Sequence, residues 1–405
     1  MTKYNSAAAL VAAAVVLFAL DANLQAVSSV GAQVGGTEVA PPSLAGSGIN
    51  SHVGGLQFNF SVPGGSNLAD MLAGNQGAAN QTLANNVVAG FDAAGHLWAS
   101  QFNDPITINV GINFAALGAG ILGSTGNNTI GATYAATRNA LIADQTSADD
   151  ATAVANLQPG PSLDFLTNDT SLVASPVIRD NDGSANNAVL DIPRGDAKAL
   201  GLLAPNNAAL DGNITFATAF NWNFSQNPGG SEFDFIGVAA HEIGHLMGFV
   251  SGVDIVDIVG GVGPSGPANL DPFRVFSVLD LYRYSSNSLA ENNQPASGAV
   301  LDLAYGDTPF FSIDGGATNL ATFSTGSFNG DGRQASHWKD NLGLGIMDPT
   351  FAVGEVGAIS AFDLRAFDAI GFDLAPVPEP ASIVLMLLGA GGFWSFSSRG
   401  RRRAA

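Results

Sequence analysis

A pair of histidines four residues apart, followed closely by a glycine, constrains this chain more than any other feature. The pair is His241 and His245, with Glu242 directly after the first histidine and Gly248 beyond the second. Residues four apart on a helix lie about 40° from one another around its axis, so both imidazoles can reach one metal ion while the carboxylate lies on the neighbouring flank. The pattern predicts a catalytic zinc site with a general base, as in hydrolases.

The flanking residues predict where this helix begins and ends. Ser231 followed by Asp234 is a capping pattern, and an apolar run from Phe235 to Ala240 leads into the histidines. Gly248 can adopt the left-handed conformation that ends helices, so the chain can turn there and bring later residues back beneath the metal.

A catalytic zinc ion usually has three protein ligands and an open position for water, so a third ligand is needed. Besides the pair, the chain has three histidines. His52 lies in a glycine-rich stretch without an evident partner, and His96 lies off the apolar stripe of a predicted helix, which favours a solvent-facing side chain. His337 is the remaining candidate, and three acidic residues are alternatives to it: Asp254, Asp257 and Asp280. The residues alone leave this choice open.

These positions resemble the metzincin metallopeptidases, whose motif HExxHxxGxxH is followed by a methionine-containing turn beneath the metal. Ser251 stands where the short form of that motif has its third histidine. The leishmanolysin-like branch instead carries a long insertion before a His-Trp pair, and His337-Trp338 followed by Met347 is similar to that arrangement. The resemblance implies that His337 is the third zinc ligand and that Met347 packs beneath the site without chemistry of its own.

The resemblance also implies a fold. We expect an α+β, zincin-like domain with a twisted mixed sheet and the active-site helix in its N-terminal half, and a smaller, irregular C-terminal half with the Met-turn and a terminal helix. The segment from Ile359 to Phe372, capped by Gly371, is similar to that last helix. Leishmanolysin is rich in cysteine and this chain has none, so the resemblance covers the site and its framework only.

The spacing of apolar residues predicts the elements around the site. Alternation from Ile106 to Phe114 predicts a strand with one buried face, and the same period recurs from Ile214 to Phe224. Helices are predicted at residues 87–101 and 134–144. The catalytic domain is placed at residues 33–374, and its insertion at about residues 254–332 is expected to be partly packed and to form a wall of the cleft.

The predicted activity is peptide-bond hydrolysis by a zinc-dependent endopeptidase acting on proteins or peptides. Zinc lowers the pKa of a bound water to about 7, and Glu242 would accept its proton and return one to the leaving nitrogen. In metzincins an extended substrate lies antiparallel to an edge strand above the metal.

Two other functions are compatible with these residues. One is a noncatalytic surface or matrix adhesion protein on a metallopeptidase scaffold, and the other is a zinc peptidase with an acidic third ligand. A binding module has no need of a general base beside its metal, so the presence of Glu242 favours an enzyme.

Both ends of the chain are predicted to be targeting signals. Residues 1–32 are predicted to be a signal peptide, removed by a signal peptidase, because Lys3 precedes an apolar run over Ala7–Leu20. The Val-Gly-Ala sequence at 30–32 is in the style of a cleavage site, with Ala26 as an alternative.

Residues 375–405 resemble the PEP-CTERM sorting signal. Pro-Glu-Pro at 378–380 is followed by an apolar segment from Ile383 to Phe396 and an arginine-rich tail that begins at Arg399. The apolar segment is shorter than the roughly 20 residues of a comfortable membrane span, which favours a transient membrane anchor. The resemblance implies an exosortase-type sorting enzyme as a partner and the surface or extracellular matrix of a Gram-negative bacterium as the destination.

The charge balance excludes one class of partner. The net charge is −20, with 14 basic and 34 acidic residues, so the chain repels phosphate backbones and nucleic-acid binding is not expected. Two acidic loops, at 180–183 and 329–332, are candidate calcium sites, although neither has complete EF-hand spacing and solvated turns are the favoured interpretation.

Overall fold

The computed structural model describes residues 49–52, 55–291 and 298–376. The described residues up to Leu374 belong to one compact unit. The predicted signal peptide and nearly all of the sorting segment lie outside the described residues, and the predicted domain boundaries stay predictions. Within the described part of the chain, no helix is both long enough and apolar enough to cross a bilayer.

A five-stranded sheet forms the framework of the N-terminal half. In spatial order its strands are β1 (Ile49–His52), β2 (Gln57–Ser61), β3 (Thr107–Ala115), β9 (Gly212–Ala217) and β4 (Gly123–Asn127). The three central strands are parallel, whereas β1 and β4 run antiparallel to their neighbours. Strand β4 therefore lies at the sheet edge with one side unpaired in the sheet.

Two long helices pack together in this half. Helix α2 (Ala78–Ala99) follows the short helix α1 (Asn67–Leu72), and the histidine pair lies on α7 (Phe235–Met247). The buried stripe of α2 is Val87, Phe91, Ala94 and Trp98. The indole nitrogen of Trp98 donates a hydrogen bond to the carbonyl of Ala240 at 2.7 Å, which fixes α2 against the helix of the site.

Smaller elements complete the half before α7. Two small sheets pair β5 (Thr129–Thr133) with β8 (Val189–Pro193), and β10 (Trp222–Asn223) with β11 (Phe233–Asp234). A third sheet joins β6 (Phe165–Asn168) and β7 (Val177–Asp180) with β13 (Leu301–Asp302), a strand that comes from the chain after α7. The short helices are α3 (Tyr134–Asp144), α4 (Ala148–Ala155), α5 (Ala185–Ala188) and α6 (Arg194–Ala199).

The chain after Gly248 is less regular. It contains helices α8 (Val253–Val259), α9 (Ser286–Ala290) and α10 (Ala361–Ala369), and a 3₁₀ turn at Leu279–Tyr282. A small sheet joins β12 (Arg283–Tyr284), β14 (Phe310–Phe311) and β15 (Ala321–Thr322).

The mixed α+β class is confirmed, and several predicted elements lie close to their expected places. Helix α3 has the predicted bounds, β3 lies within one residue of its prediction, and α10 falls inside the predicted terminal helix with Gly371 beyond its end. Helix α2 begins nine residues earlier than predicted. The prediction of one buried face for β3 was wrong, since positions 108–112 are all buried in this central strand.

Two predictions around the helix that carries the histidine pair were also wrong. The helix begins at Phe235 without a side-chain cap from Ser231, because β11 keeps Phe233 and Asp234 extended until the helix starts. The strand predicted over 214–224 is divided into β9 and β10, and the indole of Trp222 donates back to the carbonyl of Ala217 at 2.9 Å across this break.

Candidate metal centre

Three histidines converge at the end of helix α7. The Nε2 atom of His245 lies 3.1 Å from that of His241 and 3.1 Å from that of His337, and the third side of the triangle is 3.3 Å. All three side chains are buried. Among the described residues, they are the one group of three or more His, Cys, Asp or Glu side chains placed to hold a metal ion.

Each ring is oriented by its other nitrogen. The Nδ1 atom of His241 lies 2.7 Å from the carbonyl oxygen of Ile346, and that of His245 lies 2.7 Å from the carbonyl oxygen of Phe249. The Nδ1 atom of His337 lies 3.2 Å from the carbonyl oxygen of Gln334. A carbonyl oxygen only accepts, so Nδ1 carries the proton in each ring, and a neutral imidazole then has a bare lone pair at Nε2. Three lone pairs therefore point toward one another.

Burial keeps these rings neutral. It lowers the pKa of His241 to about 4 and that of His245 to about 3, and it lowers the pKa of His337 well below its usual range. Neutral rings cannot satisfy three converging lone pairs among themselves, because their protons are engaged elsewhere. A cation at the centre removes this conflict, so the donor set fits a metal ion.

The spacing of the nitrogens is compatible with a tetrahedral metal ion such as zinc. Tetrahedral zinc, with Zn–N bonds of about 2.0–2.1 Å, separates two nitrogen ligands by about 3.3 Å. The observed triangle of 3.1–3.3 Å is close to that value. Three imidazoles occupy three positions of such a site and leave the fourth for water or substrate.

Gly248, at the end of α7, allows the turn that orients the ring of His245. Gly248 has φ of +128°, a conformation that side chains disfavour, and the chain reverses there. The reversal brings the carbonyl of Phe249 to His245 Nδ1. The helix-ending role predicted for Gly248 is confirmed.

Glu242 is buried between its own helix and the edge strand β4. The hydroxyl of Thr125 lies 2.7 Å from Glu242 Oε2 and donates to it, and a Cβ at Gly123 would come within 2.7 Å of Oε1. Burial raises the pKa of Glu242 to about 7, and the Thr125 hydrogen bond opposes that shift. A carboxyl group with a pKa near neutrality can both accept and return a proton.

Met347 packs directly beneath the helix of the site. It is fully buried, and a Cβ at Gly244 would lie 2.4 Å from its sulfur, so the glycine leaves the space that the thioether fills. The preceding residue, Ile346, supplies the carbonyl for His241. This turn therefore both packs against the site and orients one ring.

Asp363, which the sequence did not single out, organises this turn. Its carboxylate accepts hydrogen bonds from the backbone nitrogen of Ile346 at 2.9 Å, from that of Ser360 at 2.7 Å, and from the indole of Trp338 at 2.8 Å. A Cβ at Gly345 would collide with the same carboxylate. Only its position, three residues after the capping Ser360 of the terminal helix, could have indicated it.

Asp254, a rival ligand at the sequence level, instead supports the segment that carries His337. It accepts from the backbone nitrogen of Ala335 at 2.6 Å and from the backbone and hydroxyl of Ser336. The backbone nitrogen of Ser251 donates to the hydroxyl oxygen of Ser336 at 2.8 Å. Ser251, which stands where the short motif has its third histidine, thus stabilises the loop that carries His337.

The other two acidic candidates accept hydrogen bonds from backbone nitrogens and neighbouring side chains. Asp280 accepts from the Ser251 hydroxyl at 2.6 Å and from the nitrogen of Gly252 at 2.8 Å, and Asp257 accepts from the nitrogens of Phe328 and Asn329 at 2.8 Å. Neither joins the histidine group.

Arg283 connects the insertion to the same loop. Its fully buried guanidinium donates to the carbonyl of Ser324 at 3.0 Å and to that of Ala335 at 3.4 Å, and it lies over the ring of Phe323. The insertion is packed from Val275 to Tyr284, as expected in part. Its role as a wall of the cleft stays a prediction.

Replacing Asp254 by asparagine should weaken zinc binding about 10- to 100-fold, because outer groups that orient metal ligands commonly contribute that much affinity. One acceptor oxygen would become an amide nitrogen that faces either the nitrogen of Ala335 or the donors of Ser336, so the loop bearing His337 would lose part of its anchor. Competition with a chromophoric chelator measures the affinity, with Asp70→Asn as an exposed control. Unchanged affinity in Asp254→Asn would show that Asp254 does not hold the ligand in place.

The remaining candidates from the sequence lie apart from this centre. His96 is partly exposed and lies 3.7 Å from Asp92, and the side chain of His52 lies outside the described part of the chain. In the two acidic loops, Asp180 accepts from the amides of Asn186 and Asn187, and Asp331 binds Lys339 at 2.6 Å. Calcium at these loops stays a prediction.

The comparisons with known proteins concern the end of the chain. Residues 376–403 match the family model of the PEP-CTERM protein-sorting motif, which confirms that predicted signal. The motif indicates export and sorting to the cell surface, and it implies recognition by an exosortase-type enzyme. No curated protein and no solved structure was found to match the chain.

Proposed function

We propose that this protein is an exported zinc-dependent endopeptidase of metzincin type. The observation that carries the proposal is the convergence of three neutral, buried imidazoles, with Nε2 atoms 3.1–3.3 Å apart, beside the buried carboxylate of Glu242. In this proposal the zinc ligands are His241, His245 and His337.

The chain supplies the proton chemistry of peptide hydrolysis. When bound, zinc polarises the scissile carbonyl and lowers the pKa of a water in its fourth position to about 7. Glu242 accepts the proton of the water that attacks the carbonyl carbon. As the C–N bond breaks, the same carboxyl returns that proton to the leaving nitrogen, which yields a carboxylic acid and an amine. The hydrogen bond from Thr125 holds Glu242 in position during both proton transfers.

The edge strand supports a peptide as the substrate class. Among the described strands, β4 pairs with β9 only, and its residues Gly123 and Thr125 contact Glu242. An extended peptide that pairs with the free side of β4 would pass next to the general base. Recognition of that kind uses main-chain hydrogen bonds and depends only partly on sequence.

The sorting motif supports a destination outside the cell. In our proposal, the apolar segment from Ile383 to Phe396, which lies outside the described residues, anchors the protein transiently in the inner membrane until an exosortase-type enzyme releases it. The mature enzyme would act at the surface or in the extracellular matrix of a Gram-negative bacterium.

Removal of the metal should abolish proteolysis reversibly. We expect casein or gelatin cleavage to stop after treatment with 1,10-phenanthroline and to return when one equivalent of zinc is added, because the ligands are preformed by backbone hydrogen bonds. Elemental analysis before and after treatment gives the zinc content. Proteolysis that persists in the zinc-free protein would refute the proposed activity.

A further inference from the structure

One face of the edge strand β4 lies against the helix that carries the histidine pair. Alternate residues of a strand point to the same side, so Gly123, Thr125 and Asn127 share a face. All three meet α7, at the side chain or the backbone of Glu242 or at the backbone of His245. This face therefore connects the edge of the sheet to the metal centre.

Hydrogen bonds set the spacing between β4 and α7. The side-chain amide of Asn127 donates to the carbonyl of His245 at 3.2 Å. The hydroxyl of Thr125 lies 3.0 Å from the carbonyl oxygen of Glu242, and it donates to the carboxylate oxygen Oε2 of the same residue at 2.7 Å. The strand thus holds the helix and, with it, one oxygen of the Glu242 carboxyl group.

Gly123 leaves the space that the Glu242 carboxyl group occupies. Its own place in the sheet is fixed by the pairing of β4 with β9, in which it lies opposite Phe216. A Cβ at Gly123 would lie 2.7 Å from Glu242 Oε1, 3.0 Å from Cγ and 3.1 Å from Cδ. Cβ atoms essentially never come as close as 2.7 Å to another heavy atom, so a side chain at this position would displace the carboxyl group.

The backbone of β4 does not by itself require glycine at this position. The φ angle of Gly123 lies outside the left-handed region, so alanine could adopt the same backbone conformation. Gly126, on the opposite face of the same strand, offers a contrast, because a Cβ there would meet nothing within 4 Å. What excludes a side chain at residue 123 is therefore the Glu242 side chain.

We propose that Gly123 is a positioning residue for peptide hydrolysis, which keeps the carboxyl group of Glu242 where it can accept the proton of the attacking water. This inference rests on the proposed function, in which Glu242 is the general base. A general base has to lie within hydrogen-bond reach of the proton that it accepts, about 2.6–3.2 Å between heavy atoms. A misplacement of about 1 Å can cost about 100-fold in rate. Gly123 acts through Glu242 and takes no part in the proton transfer itself.

Strand β4 is also the proposed docking edge for the peptide substrate. Main-chain pairing with an extended peptide would use backbone groups of β4, whereas a methyl group at residue 123 would point toward Glu242. A displaced Glu242 carboxyl group should therefore slow the reaction without weakening peptide binding. The expected signature is a lower kcat at an unchanged KM.

Gly123→Ala tests this role, with kcat and KM on casein and the zinc content per chain as the measurements. We expect kcat to fall about 10- to 100-fold, with KM and zinc content unchanged. The variant should fold, because the closest atom that the methyl group meets is the end of a flexible side chain. Gly64→Ala is a matched control, since a Cβ there would meet nothing within 4 Å and its φ angle is equally compatible with alanine. The control should cleave casein as the native chain does.

A double variant shows whether Gly123 acts through Glu242. In Glu242→Gln the general base is already absent, so the addition of Gly123→Ala should lower kcat no further. A further fall of the same size in the double variant would show that residue 123 acts on the fold or on the substrate, and it would overturn the proposal.

A crystal structure of zinc-loaded Gly123→Ala gives a readout that does not depend on hydrolysis. The Glu242 carboxyl group should be displaced from β4, while the three imidazoles keep their places. An undisplaced carboxyl group, a native kcat, or loss of zinc in this variant would overturn the positioning role. A native chain that cleaves no casein would overturn the proposed function instead, and the crystal structure would still show whether Gly123 places the Glu242 carboxyl group.

Discussion

Replacing Glu242 by glutamine should leave zinc bound and reduce peptide hydrolysis by about 100- to 10,000-fold, the range typical of a lost general base. Glutamine has the same shape as glutamate, and its amide oxygen can still accept the hydrogen bond from the hydroxyl of Thr125. The amide cannot accept a proton from the attacking water. The variant therefore removes the proton transfer while it preserves the packing against Gly123.

The measurement is kcat/KM on casein or gelatin, together with zinc per chain. Glu355→Gln is a matched control, because Glu355 is exposed and lies outside the histidine group, and it should cleave as the native chain does. Equal cleavage by the native chain and Glu242→Gln would remove Glu242 from the mechanism. Loss of zinc in Glu242→Gln would show that the carboxylate supports the metal rather than the reaction.

Local rules were sufficient to predict the helix that carries Glu242. The spacing of His241 and His245 and the glycine at 248 depend on residues within two turns, and the structure shows both features as expected. The start of the helix was not predictable in the same way. It depends on the pairing of β11 with β10, a contact that no capping pattern near Ser231 could reveal.

The place of His337 in the histidine group could not be predicted from local rules. Spacing alone did not show that His337 returns to the helix, and it left Asp254, Asp257 and Asp280 as alternatives. Only the resemblance carried by Trp338 and Met347 indicated His337. The distinction comes from hydrogen bonds across long sequence distances, in which all three aspartates bind backbone or serine donors. Asp363 was missed for the same reason, since its partners at Ile346 and Trp338 precede it in distant turns.

Replacing His337 by alanine should lower zinc affinity by at least about 100-fold and abolish cleavage at limiting zinc, because a direct ligand contributes more than the outer groups that orient it. The remaining pair on α7 would hold the ion with two nitrogens only. The loop itself should persist, since Asp254, Ser251 and Arg283 bind it through Ser336, Ala335 and Ser324 and not through the imidazole. Circular dichroism should therefore show a folded protein.

Two companion variants make this result specific to the ligand. His96→Ala removes a partly exposed imidazole and should keep a full equivalent of zinc. Asp280→Asn should also keep its zinc, although it weakens the hydrogen bonds to Ser251 and Gly252 and should lower the free energy of unfolding by about 1–3 kcal/mol. If His337→Ala keeps its zinc and folded Asp280→Asn loses it, the third ligand is the carboxylate of Asp280. The site would then be a centre of two histidines and one acid. In this structure Asp280 stabilises the turn after the helix, whereas His337 brings a third nitrogen to the histidine pair. The two variants therefore separate the positioning of the chain from the coordination of the metal.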